Sequence, residues 1–214
     1  MTPRLYLVTP PVDDPVSFSP RLEAALGSAD VAAVLLRLAA ADERTLINRA
    51  KAIAAPVQRR DVALILDGHA ALVARAGADG AHLFGIDAFV AALPLIKPDR
   101  IAGAGGLRSR HDAMLAGENG ADYAMFGDPP PPFSPPRAGK GGGPASFAET
   151  LERVQWWAEL FELPCVGYAA TLDEAEALVR AGADFVALGD WIWSQATAAT
   201  LAAATKILAD AAPW

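Results

Sequence analysis

A chain of 214 residues with 53% hydrophobic and 20% charged side chains can bury one substantial core and is too apolar to be a disordered polymer. Its formal charge of -7 argues against nucleic acid or an anionic membrane surface as partner, because both reward surplus lysine and arginine. The single cysteine, Cys165, lies in an apolar run and reads as buried filler, and no Cys/His spacing suits zinc.

The opening "MTPRLYLVTP" has no basic segment followed by a long apolar one, and no apolar run is long enough to span a bilayer. A cytoplasmic protein is expected.

In chain order, short apolar runs predict strands at 4–8, 31–37, 62–66, 80–84, 100–103, 123–126, 164–168 and 185–188. Helical segments are expected between them, near 20–27, 42–55, 69–76, 87–96, 108–118, 146–162 and 171–181, with a closing helix near 192–211. Three of the units share a pattern: "AGADGAHLFG" at 76–85, "NGADYAMFGD" at 119–128 and "AGADFVALGD" at 181–190. Each begins where a helix ends. Gly77, Gly120 and Gly182 therefore read as left-handed C-caps, each followed by a buried strand.

Strands alternating with helices imply parallel pairing through right-handed crossovers. Eight such units in one domain, 1–214, predict an α/β fold, the (β/α)8 TIM barrel, with an open doubly wound sheet as the alternative. Functional groups of a barrel gather where the strands end. Arg37 ends an otherwise apolar strand, so it is no core filler and can clamp a phosphate bidentately. His82, late in the fourth strand, is either packed against a neighbour or an acid–base group. Trp191 and Trp193 either stack on a ligand ring or fill the core. Of the adjacent Trp156 and Trp157, only one need be buried. The turns at 169–171 and 189–192, including Ala169, Ala170, Gly189 and Asp190, are a candidate phosphate cradle built from backbone amides. Lys140 rides on the Pro/Gly-rich loop 127–145, which either folds over a ligand or leaves the lysine exposed.

The strand ends "LYLVT", "LLR" (35–37), "LILD" (64–67), "GADGAHLFGID" (77–87), "GADYAMFGD" (120–128) and "GADFVALGD" (182–190) resemble the thiamine phosphate synthase and TenI family over almost the whole chain. The resemblance implies an enzyme of thiamine biosynthesis that joins hydroxymethylpyrimidine diphosphate to thiazole phosphate and releases pyrophosphate with Mg²⁺. The partner would be a small phosphorylated heteroaromatic ligand, and a homo-oligomer is compatible with it. Arg37 matches the arginine of the family's Gln-x-Arg-x-Lys segment, while Leu35 and Ala39 stand at its glutamine and lysine. Asp67 and Asp87 match the metal-associated aspartates, with Leu66 in place of asparagine and Phe84 in place of glycine. Read from the residues alone, both aspartates are helix caps or starts. Gly105 stands near the family's serine, Ala169 and Ala170 replace a glycine pair, and Lys140 is the nearest substitute for the loop lysine.

Two other readings fit the substitutions. One is a TenI-like protein that handles thiazole phosphate without diphosphate chemistry, and the other a non-catalytic phosphate-ligand barrel. A Schiff-base aldolase is disfavoured, because none of Lys51, Lys97, Lys140 and Lys206 falls at a predicted strand mouth.

Overall fold

The computed structural model describes residues 2–127, 129, 146–193 and 197–211. Among them, eight strands pair in parallel, each with the next and the last with the first, into a closed barrel. The strands are β1 Arg4–Val8, β2 Val31–Leu36, β3 Ala63–Asp67, β4 Gly80–Phe84, β5 Ile101–Gly105, β6 Tyr123–Phe126, β7 Cys165–Ala169 and β8 Phe185–Leu188. The helices are α1 Pro15–Ser28, α2 Glu43–Gln58, α3 Val73–Ala76, α4 Ile86–Ile96, α5 Arg110–Glu118, α6 Phe147–Leu160, α7 Leu172–Arg180 and α8 Thr197–Ala211. The closed barrel was expected, and the open sheet is excluded.

Local chemistry explains where the boundaries moved. α1 starts at Pro15, earlier than 20, because Asp14 caps the Val16 amide at 3.0 Å and proline suits a first helical position. The segment expected as one helix at 69–76 divides into a 3-10 turn, Ala70–Leu72, and the short α3. The closing helix begins at Thr197, not 192, because Asp190–Trp193 form a 3-10 turn tied to the barrel by two indoles. Trp193 Nε1 donates to Val8 O at 2.7 Å and Trp191 Nε1 to Ala169 O at 3.0 Å. Both tryptophans thus take the structural reading. Trp157 is buried and Trp156 only partly so, and Cys165 is fully buried, its thiol pushed up to about 12 by burial.

The repeated Gly-Ala-Asp is a staple at the N-terminal face of the barrel. Gly77, Gly120 and Gly182 have φ of 70°, 87° and 95°, as a left-handed helix stop requires. The aspartate that follows then reaches back to the preceding strand. Asp79 accepts from Leu64 N at 2.7 Å, Asp122 from Ala102 N at 2.7 Å and Asp184 from Cys165 N at 2.8 Å. Each carboxylate satisfies an amide at the edge of the strand pairing.

Two apolar layers result. The larger lies between strands and helices. The smaller fills the barrel and contains Tyr6, Val8, Ala33, Leu35, Ile65, Tyr123, Met125, Val166 and Ala187. Side chains two apart on a strand share a face, so extending this inward set toward the strand exits names the residues that ring the mouth. They are Arg37 beyond Leu35, Asp67 beyond Ile65, Phe84 beyond His82, Tyr168 beyond Val166 and Gly189 beyond Ala187.

Candidate active site

Arg37 follows β2 directly and is 1% exposed. Its backbone amide donates to Thr9 Oγ1 at 3.0 Å, its Nε to Thr9 O, and its Nη2 to the Asp190 carboxylate. β1 and the turn after β8 therefore hold the guanidinium from two sides. A buried cation is tolerable only with such partners, and Asp190, with 52% of its side chain exposed, keeps the pair at the solvent boundary. Arg49 of α2 reaches the same edge and donates to Ala39 O at 2.8 Å. It brings a second guanidinium to the loop where the sequence offers alanine, and no motif signals it.

Asp67 ends β3 and pairs in register with His82 of β4. His69, two residues on, is the N-cap position of the 3-10 turn that follows. Asp87 lies in the first turn of α4, exposed, and makes no hydrogen bond or ion pair among the described residues. The exits of β3 and β4 are neighbours, and both groups are the hard oxygen donors that Mg²⁺ takes, with waters and phosphate oxygens completing its shell. Among the described residues no three His, Cys, Asp or Glu side chains converge into a ready cage. A cation here would depend on a ligand's oxygens.

His82 lies below this rim, inside the barrel and 3% exposed. Its Nδ1 is 3.0 Å from Tyr123 Oη, its ring stacks on the Tyr123 ring at 5.7 Å, and Tyr123 Oη is 2.8 Å from Tyr6 Oη. Burial lowers the imidazole to about 4 and raises both phenols, so all three stay neutral near pH 7. The geometry matches the packed reading of His82.

The β7 and β8 exits adjoin each other, and the expected cradle residues meet there. Several of their polar groups are already engaged. Ala170 N donates to Glu174 Oε2 at 2.7 Å, Ala169 O accepts the Trp191 indole, Gly189 O accepts Ile192 N at 3.1 Å, and Asp190 holds Arg37. Gly105, at the β5 exit, accepts from Gly85 N at 2.7 Å, and Phe84, 38% exposed, packs its ring over Gly106 beside it. Lys140, with most of the 127–145 loop, lies outside the described residues. The arrangement is a barrel mouth with a fixed guanidinium on one side, two carboxylates on another, and between β7 and β8 one backbone amide, that of Ala170, engaged by the Glu174 carboxylate.

The closed ring of eight parallel strands with functional groups at its exits defines the class, a (β/α)8 barrel. The family model described as thiamine monophosphate synthase matches residues 5–192. The thiamine-phosphate synthase of Rhodospirillum centenum is 42% identical over 193 residues, 89% of each chain. That of Hyphomonas neptunium is 39% identical over 198 residues, 89% of this chain and 86% of its own. This chain belongs to the thiamine monophosphate synthase family. In fold it is similar to thiamine phosphate pyrophosphorylase from Pyrococcus furiosus, with a TM-score of 0.74 at 20% identity over 97% of this chain and 96% of that one. It is also similar to 3-hexulose-6-phosphate synthase from Salmonella typhimurium, with a TM-score of 0.71 at 13% identity over 97% and 99%. These two likenesses concern architecture alone.

Proposed function

We propose that the chain is a thiamine phosphate synthase, joining hydroxymethylpyrimidine diphosphate to thiazole phosphate with release of pyrophosphate. The observation that carries the reading is Arg37: a permanently charged fork, buried at the β2 exit and aimed by Thr9 and Asp190, in a chain 42% identical to a protein of that name. Departure of pyrophosphate builds negative charge on oxygen. A cation fixed beforehand stabilises that charge without having to reorganise.

Asp67 and Asp87 are the residues that would hold Mg²⁺, which supplies neutralisation of the diphosphate when bound. Arg49 adds positive charge on the β2 side. The apolar ring of Tyr6, Val8, Leu35, Ile65 and Met125 beneath the mouth gives the reacting groups a dry floor.

A second reading, handling of thiazole phosphate without diphosphate chemistry, is favoured by one observation. Leu35 and Leu66 carry hydrocarbon side chains, so neither position offers a polar group to a diphosphate.

The test is pyrophosphate release from the two substrates with and without Mg²⁺, in wild type, Arg37→Lys and Asp67→Ala. The synthase reading predicts Mg²⁺-dependent turnover that falls by about a hundredfold or more in each variant. Thiazole phosphate binding with no turnover would favour the second reading instead.

A further inference from the structure

Tyr168 carries a further inference, which rests on the phosphate site of the function proposed above. It is the last inward-facing residue within β7 and is half-buried at the exit of that strand. Its hydroxyl lies against the α-carbon of Gly189, so close that a methyl group at position 189 would overlap the phenol oxygen and come within 3.1 Å of Cζ. Gly189 is therefore glycine to make room for this ring. Although three charged groups, Asp190, Arg37 and Glu174, act on the phenol, its hydroxyl makes no hydrogen bond among the described residues. Among the described residues no buried side-chain oxygen is left without a hydrogen bond, so this oxygen is not fully buried. Burial, and next the Asp190 charge, raise its pKa, which keeps the proton on the oxygen as a donor.

The neighbouring donors are already taken. Ala170 N–H serves Glu174, and Arg37 serves Asp190. A phosphate entering between β7 and β8 thus meets two donors held by the protein's own carboxylates and one hydroxyl that has no such partner. We propose that Tyr168 is a phosphate-positioning residue, whose Oη–H donates to a phosphate oxygen of the ligand seated between the β7 and β8 exits. It supplies a donor where the backbone amide of Ala170 has been given to Glu174. The residue selects the phosphorylated form of the ligand over its alcohol.

The experiment compares wild type with Tyr168→Phe, which removes one oxygen and keeps the ring against Gly189. Titration calorimetry is run with thiazole phosphate, the dephosphorylated thiazole alcohol and inorganic phosphate. A hydrogen bond to a charged group predicts roughly tenfold or greater weakening for thiazole phosphate and inorganic phosphate, and an unchanged affinity for the alcohol. Equal losses for ester and alcohol, unchanged binding of the ester, or no phosphate binding by wild type would each overturn the proposal. Pyrophosphate release from the two substrates is measured separately. A wild type that binds phosphate through Tyr168 yet forms no product would sink the synthase reading and leave this one standing.

Discussion

Arg37 and Asp190 form an ion pair at the rim of the barrel, joining the β2 exit to the turn after β8 on either side of β1. The arginine is buried and the aspartate half exposed, so the pair is asymmetric: the anion can leave for water, while the cation cannot. On the proposed function, a phosphate that reaches Arg37 would have to compete with Asp190 for a guanidinium that is already oriented.

Asp190→Asn tests that competition. Removing the anion leaves a buried cation poorly neutralised, and the unliganded protein should lose about 1–2 kcal/mol, less than a fully buried pair because Asp190 is solvated. Saturating pyrophosphate should then stabilise the variant more than it stabilises wild type, read as the difference in thermal midpoint with and without ligand. Equal ligand-induced shifts in the two proteins would mean that Asp190 does not compete.

At the opposite face, Asp184→Ala should cost about 2 kcal/mol in urea unfolding, because the Cys165 amide loses a charged acceptor. Turnover at 25 °C should be unchanged, since residues at the N-terminal face of a barrel serve stability rather than chemistry. A large fall in turnover with no fall in stability would contradict this division.

His82 predicts a pH dependence. Its folded value of about 4 lies below the ordinary 6.5, so between those values the unfolded chain binds a proton that the folded one refuses. The contribution is fully present above pH 6.5 and is lost as pH falls toward 4, by at most about 3 kcal/mol. Urea midpoints across this range should slope upward with pH in wild type and be flatter in His82→Gln. Parallel profiles would assign the slope to other groups.

Apolar runs, helix stops and the spacing of the units were enough to read eight parallel strands, a closed barrel and Arg37 at its rim, because periodicity and C-cap chemistry are local. Tyr168, Glu174 and Arg49 were not readable. A tyrosine late in an apolar strand looks like core, and a glutamate or arginine on a helix looks like a solvated face. The same limit held for the aspartate of Gly-Ala-Asp, whose partner amide lies 15 residues back for Asp79 and 19 for Asp184. Composition and pattern by themselves determined the architecture. Which donors at the mouth are engaged by the protein's own carboxylates, and which face a ligand, was decided by barrel closure, which brings residues 37 and 190 into contact across 153 positions of chain.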